Sequence, residues 1–323
     1  MVRVVDSSEY AALDEIGRQP RPDPLNDPVG FWEAAMRAAS AVPSLLAPPL
    51  PGGLALLRGL PADRYLPDTP CDSRRPPGSH LFLSELWLSA FGVLLGTPIA
   101  YKDQQGASLH QNVAPILGSE QEESDVGSAR TLRLHTENPF HVIAPDYVLL
   151  SCLRADAAKA ASTTLASVTE VLARLDPRMR DALRRPIFVE RGAATMSPAP
   201  VVSGPSHDPQ ARFDAAWTTS TITEGVAALE ALARALPAST RSVNLVPGDL
   251  LMIDNRRWLH GRRAFATPTG VARRWLQRLY VGEESPSLKS AILQGILVSA
   301  PVPPSGGPTV EGVVGQFPAT AER

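Results

Sequence analysis

From residue 131 onward the chain is written in short apolar runs: TLRLHTE (131–137), DYVLLSCLR (146–154), STTLASV (162–168), PIFVER (186–191), ARFDAAW (211–217), SVNLV (242–246), DLLMID (249–254) and RRWLQRLYV (273–281). Each has the length and composition of a strand, and turn residues separate them. Helical patterns interrupt only around 168–184 and 222–236. A doubly wound sheet would alternate strand and helix throughout, so the order predicts a β-sandwich or barrel with flanking helices. The N-terminal third reads differently. Asp27-Pro28 introduces the helical pattern Phe31, Trp32, Ala35, Met36 and Ala39, with proline where a first turn tolerates it. LALLRG (54–59) reads as a short buried strand and residues 81–95 as a mostly buried helix. Between them, 61–80 is too rich in proline for either. The expected organisation is one domain over 1–290, with a helical part at about 29–98 and a β core at about 99–282. Residues 291–323 form a C-terminal extension whose Pro/Gly-rich end is expected to be mobile.

Composition narrows the partners. Hydrophobic residues make up 44% and charged residues 20%, enough for a buried core in a soluble protein. A net charge of −2 gives no electrostatic reason to expect nucleic acid or an anionic membrane. Cys71 and Cys152 cannot make a disulfide framework, and Cys152 lies in an apolar run that suits a small buried thiol. The N-terminus has no apolar signal core and no stretch reaches a membrane span, so a cytoplasmic protein is expected.

The chemistry begins at LHTEN (134–138). On a strand, positions i and i+2 share a face, so His135 and Glu137 converge on one point, as two ligands of a divalent metal would. Alone, such a pair reads first as a surface pair. A second segment, PGDLLMIDNRRWLHGR (247–262), reads as turn, buried strand, turn and return, ending at His260. Two histidines and one carboxylate are the facial ligand set of non-haem iron oxygenases. The competing reading of His260 is a core histidine at a strand end. In RRWLQRLYV, alternation puts Arg274, Leu276 and Arg278 on one face. Two arginines on an apolar strand need an anion, either a bound carboxylate or a buried Asp or Glu.

Taken together, LHQNVAP (109–115), LHTENPFH (134–141), PDYVLLSCLR (145–154), GDLLMIDNRRWLHGRRAF (248–265) and RWLQRLYV (274–281) resemble the clavaminate synthase-like branch of the Fe(II)/2-oxoglutarate oxygenases, which includes amino-acid hydroxylases. The pieces run in family order over about 100–282. The resemblance implies a double-stranded β-helix (jelly-roll) core with flanking helices. It implies His135, Glu137 and His260 as the iron ligands and Arg274 as the arginine that binds the distal carboxylate of 2-oxoglutarate. Thr163 or Thr164 would supply a hydroxyl beside that carboxylate. Arg278 would either assist the same anion or hold a substrate carboxylate. An intact Glu137 also implies hydroxylation rather than halogenation, because related halogenases lack this carboxylate.

The expected function is therefore hydroxylation of an unactivated C–H bond of a free amino acid or close derivative, in specialised metabolism, with iron, 2-oxoglutarate and O2. A second reading keeps the cofactors but acts on another small molecule or a carrier-tethered one, including desaturation or cyclisation. A third is a metal- or ligand-binding protein without turnover, which the intact triad and Arg274 argue against. Substrate contacts are sought at Gln111, Asn112, Ser128 and Asp214. For the first three the alternative is ordinary turn or backbone hydrogen bonding. Asp214 is read on a strand face shared with Arg212 and Ala216, where Arg212 is its alternative partner. His110 and His141 lack ligand spacing and are taken as supporting or structural. Residues 192–215 read either as a lid over the substrate or as an inert loop.

Overall fold

The computed structural model describes residues 2–41, 50–72, 74–76, 81–192, 197–267, 270 and 272–301. In chain order, β1 (Val2–Val4), α1 (Ser7–Arg18), α2 (Pro28–Ala41), β2 (Leu54–Arg58) and α3 (Leu83–Leu95) form the N-terminal part. Then come β3 (Thr97–Tyr101), β4 (Gln111–Val113), β5 (Leu132–His135), β6 (Tyr147–Arg154) and β7 (Thr163–Ser167). Helices α4 (Val168–Ala173) and α5 (Pro177–Leu183) precede four two-residue strands, β8 (Val189–Glu190), β9 (Val202–Ser203), β10 (Gln210–Ala211) and β11 (Thr218–Thr219). Helix α6 (Thr223–Ser239), β12 (Thr240–Val243), β13 (Leu250–Asp254), β14 (Trp258–Arg262), β15 (Trp275–Gly282), α7 (Pro286–Leu293) and β16 (Leu297–Ser299) complete the series.

Two sheets face each other. The larger runs β1-β2-β13-β6-β15-β3-β16, with β4 also paired to β15; the smaller runs β12-β7-β14-β5. Neither closes on itself. Strand alternation explains the layers. Val148, Leu150, Leu251, Ile253, Leu276 and Tyr280 point inward and meet Leu165 and Trp258 of the smaller sheet. Their sequence neighbours Leu149, Leu250, Met252, Leu279 and Val281 point outward onto Phe31, Trp32, Leu86, Trp87 and Phe91 of α2 and α3. On the far side, Ala166 and Leu259 of the smaller sheet are covered by Val168, Leu172, Leu183, Leu232 and Leu236.

Helix α3 is buried at every position from Ser84 to Gly92, so it has no polar face to keep wet. It lies directly on β15: a Cβ added at Gly92 would meet Leu279 Cδ2 at 2.6 Å. The turn into β13 is set by Val246-Pro247-Gly248-Asp249. Asp249 N–H donates to Val246 O at 2.9 Å, and Gly248 takes φ +85°. Proline at the second position and glycine at the third are what a type II turn demands.

Several elements differ from the sequence reading. The polar N-terminus holds β1 and α1, the latter closed by an Asp6–Glu9 capping box. The helical pattern at 168–184 breaks in two, because Asp176 caps a new helix with Pro177 in its first turn. PIFVER contributes only the two residues of β8. ARFDAAW is not a strand with Arg212, Asp214 and Ala216 on one face. Asp214 Oδ1 accepts from Ala216 N–H at 2.6 Å and Trp217 N–H at 3.2 Å, which folds the run into a turn. Beyond β15, β16 pairs with β3 and so lies within the larger sheet. The tail from 302 lies outside the described residues. Among the described residues no helix is long and apolar enough to cross a membrane.

Candidate active site

The site is assembled where the strands of the smaller sheet meet β15. In the β14–β5 ladder His260 stands directly opposite His135. Gly261 lets the neighbouring strands approach: a Cβ there would lie 2.5 Å from Leu132 O and 3.0 Å from Thr164 Oγ1. Glu137 follows the end of β5 and is fixed through its backbone by Asn255. Its N–H donates to Asn255 Oδ1 at 2.7 Å, and Asn255 Nδ2 donates to Glu137 O at 3.2 Å and to Pro145 O at 2.9 Å.

His135, Glu137 and His260 each offer a ligand atom, and all three atoms lie within 4.8 Å of one another. His135 Nδ1 donates to Arg133 O at 2.8 Å, which leaves Nε2 with a free lone pair. His260 Nε2 is 3.3 Å from Glu137 Oε1. Burial, followed by the neighbouring His135 imidazole, pushes the His260 pKa down and so keeps its ring neutral, the form that binds a metal. Burial pushes the Glu137 carboxyl up, but the Arg278 guanidinium and His260 outweigh it and hold the group well below the usual carboxylate range. Two imidazoles and one carboxylate are the donors that ferrous iron takes, so the residues fit that metal.

A cavity of about 640 Å³ opens above these atoms. Arg274, just before β15, and Leu276, Arg278 and Tyr280 on one face of that strand line it, as alternation predicts. Arg278 is fully engaged. Its Nη1 donates to Glu137 Oε1 at 2.9 Å, Nε and Nη2 to Gln111 Oε1 at 3.0 and 2.8 Å, and Nη2 to Asp125 Oδ2 at 3.2 Å. Tyr280 donates its hydroxyl to Glu137 Oε2 at 2.8 Å. Arg274 differs: it is only 7% exposed, and among the described residues no hydrogen bond or ion pair meets its guanidinium. Burial lowers its pKa. Arg262, also on the cavity wall, reaches only backbone oxygens, such as Ser128 O at 3.2 Å. Burial and then Arg274 push its pKa down to about 10. Two buried guanidiniums without a carboxylate between them are costly unless an anion arrives.

The remaining candidates separate clearly. Thr163 lines the cavity, whereas Thr164 stands opposite Gly261 in the strand ladder. Asp214 lines the cavity; its neighbour Arg212 hydrogen-bonds His141 O, and among the described residues Asp214 has no ion pair. Gln111 and Asn112 are not in a turn but on buried β4. Gln111 reaches the site only through Arg278, and its Nε2 has no partner. Asn112 faces the other way: its Oδ1 accepts from Trp275 Nε1 at 2.8 Å and from Gln277 Nε2 at 3.3 Å. Ser128 is fully buried, its hydroxyl has no partner, and it does not line the cavity. His141 lines the cavity with its ring against Tyr101, centroids 4.6 Å apart. His110 is remote, stacked on Trp32 and bonded to Ser89 Oγ at 2.8 Å.

Asn255, Asp125, Arg262 and Tyr280 escaped the sequence reading. Tyr280 continues the alternation of Arg274, Leu276 and Arg278 and was within its reach. Asp125 sits in a polar loop with no periodic signal.

Comparison with known proteins agrees with this geometry. Residues 85–280 match the taurine catabolism dioxygenase TauD, TfdA family. An L-asparagine oxygenase of Streptomyces coelicolor is 36% identical over 79% of this chain and 81% of its own. An L-lysine 3-hydroxylase of Catenulispora acidiphila is 30% identical over 93% of this chain and 89% of its own. The crystal structure of an asparagine oxygenase in complex with Fe(II), 2S,3S-3-hydroxyasparagine and succinate superimposes with a TM-score of 0.81. It is 31% identical, covering 90% of this chain and 96% of that one, and shows that the facing sheets are a double-stranded β-helix core. With a match over more than half its length and relatives aligned nearly end to end, the chain belongs to the TauD, TfdA family of dioxygenases.

Proposed function

We propose that this iron- and 2-oxoglutarate-dependent oxygenase hydroxylates a free amino acid or close derivative, working as a single domain over residues 1–290, with His135, Glu137 and His260 holding the iron. The observation that carries the reading is the pairing of this triad with Arg274, a buried cation that meets no hydrogen bond or ion pair among the described residues, on the wall of the same cavity. A guanidinium in that position awaits a carboxylate, and the distal carboxylate of 2-oxoglutarate is the one the family supplies. Thr163, on the same wall, offers a hydroxyl to that end of the co-substrate.

Bound together, iron and 2-oxoglutarate supply the oxidising power: O2 inserts one oxygen into a C–H bond while 2-oxoglutarate becomes succinate and carbon dioxide. The protein does the rest by position. Arg278 and Tyr280 hold Glu137, Asn255 holds its backbone, and the inward apolar residues Val113, Leu150 and Leu276 keep the cavity wall dry. On the cavity lining Asp214 presents a carboxylate that feels the charge of Arg133 but forms no ion pair among the described residues. It suits the amine or cationic side chain of an amino acid, and the lysine hydroxylase among the relatives bears such a substrate in its name. Gln111 and Asn112 act behind the cavity, by fixing Arg278 and β15, rather than by touching substrate.

The test is a panel of the protein amino acids and common non-protein relatives, with purified protein, Fe(II) and 2-oxoglutarate. A substrate should release succinate and gain one oxygen in mass, without chloride incorporation. Succinate release that no amino acid stimulates would overturn the substrate class and leave the cofactor chemistry standing.

A further inference from the structure

The geometry points to Tyr280 as the positioning residue that decides how Glu137 presents itself to the metal. The argument rests on the reading of Glu137 as an iron ligand. The two oxygens of this carboxylate are not equivalent. Oε1 is 3.3 Å from His260 Nε2, among the ligand atoms, and it also accepts from Arg278 Nη1 at 2.9 Å. Oε2 accepts from the Tyr280 hydroxyl at 2.8 Å. The phenol thus ties up one oxygen and leaves the other turned toward the histidines.

Tyr280 is well placed to hold still. It is 1% exposed and its ring packs on Tyr101 with centroids 5.9 Å apart. The Arg278 guanidinium lies over the ring, 4.7 Å from its centre. Its backbone is locked between β6 and β3. Arg278 has three other claims on it, from both Gln111 and Asp125, whereas the hydroxyl of Tyr280 has Glu137 alone. Arg278 thus divides its guanidinium among Glu137, Gln111 and Asp125, whereas the Tyr280 hydroxyl is given to the ligand. A carboxylate fixed at one oxygen stays monodentate, which preserves open coordination positions. Partners of ligating groups commonly contribute this way, and their loss weakens metal binding about 10- to 100-fold.

The experiment is equilibrium binding of Fe(II), and of Co(II) as a spectroscopic stand-in, to wild type, Tyr280→Phe, Glu137→Ala and the double variant, without O2 or 2-oxoglutarate. Tyr280→Phe should lose about 10- to 100-fold in affinity and shift the visible Co(II) bands. In the Glu137→Ala background the same change should have no further effect, since the hydroxyl then has no carboxylate to hold. Tyr101→Phe, whose hydroxyl donates to Ile143 O, controls for loss of a buried phenol and should bind metal like wild type. Equal losses in both backgrounds, or unchanged Fe(II) affinity and Co(II) bands in Tyr280→Phe, would overturn the assignment. If Tyr280→Phe unfolds, Tyr280→His keeps a donor, and its affinity should fall between wild type and Glu137→Ala. Failure of the metal site itself would show separately, as a Glu137→Ala variant that binds Fe(II) like wild type.

Discussion

The two walls of the cavity are built by different means. The wall formed by β5, β7, β14 and β15 is regular sheet, in which His135, Thr163, His260, Arg262 and Arg278 take their directions from paired strands. The rest of the lining includes Glu190, Asp214 and Trp217, from a stretch whose longest strands have two residues and which meets β5 at an isolated bridge between Asp214 and His135. There the chain is held at a few points, by Thr136 N–H on Phe213 O at 2.7 Å, by Ala215 N–H on Leu134 O at 3.1 Å, and by the Asp214 side chain on the N–H groups of Ala216 and Trp217. The residues proposed to hold iron and co-substrate sit mainly in the first part, and Asp214, the proposed substrate contact, sits in the second.

The first way to break this comparison has the largest effect. His135→Ala or His260→Ala should bring turnover to background for every substrate and abolish tight Fe(II) binding, while the fold persists. Far-ultraviolet circular dichroism and metal titration check both halves. An active variant under limiting iron would dissolve the distinction between the walls.

Next comes Arg274. Alanine there should weaken 2-oxoglutarate binding about 10- to 100-fold, the worth of a charge-assisted contact of about 1.5–3 kcal/mol. Lysine should restore only part, because it cannot reproduce the fork. The apo protein should melt no earlier, since the substitution removes a buried cation that has no partner. If Arg278→Ala proves to be the variant that loses 2-oxoglutarate, the anion site lies four residues along.

The irregular wall should respond otherwise. Asp214→Asn keeps an oxygen to cap the turn and removes only the charge. The KM for a cationic amino acid should rise by about one to two orders of magnitude, as loss of a charge-assisted contact implies. Iron and 2-oxoglutarate affinities should stay put, and uncoupled succinate release should continue. Steady-state kinetics beside calorimetry decides it. Unchanged KM would assign Asp214 to the turn alone.

What could be read from the sequence follows the same division. His135 and His260 stand on strands, with Glu137 just past the end of β5 and Arg274 just before β15, so the period of two pairs His135 with Glu137, and Arg274 with Leu276 and Arg278, from the residues alone. Tyr280 lay on that period and was missed only for want of a reason to look. Asp214 was read from alternation that is present in ARFDAAW but not used, because its own side chain competes for the backbone and bends the run. Asn112 is a candidate substrate contact by sequence, but strand pairing to β15 buries it among Trp275 and Gln277. Asn255 is legible only in three dimensions, since the loop it holds lies more than a hundred residues away.

The smallest effect concerns a residue that belongs to neither wall. His110 sits between α2 and α3, stacked on Trp32 with centroids 5.8 Å apart and edge-on to Phe31. Burial, and then the charge of Arg75, push its pKa down to about 3, so the folded protein holds it neutral. The unfolded chain returns it to the ordinary histidine range near 6.5. Between those values the unfolded state binds more protons than the folded one, so stability rises with pH and is lost as pH falls below about 6.5. From pH 7 to pH 5 the loss should be about 2 kcal/mol, an order-of-magnitude figure for one buried imidazole. His110→Phe keeps the aromatic packing and removes the titration, so its denaturation midpoint should vary less over that range. The difference between the two slopes isolates His110 from the other histidines. Because the ring does not reach the cavity, kcat and KM at pH 7.5 should match wild type. A variant whose stability follows pH as steeply as wild type would show that His110 is protonated in the folded protein.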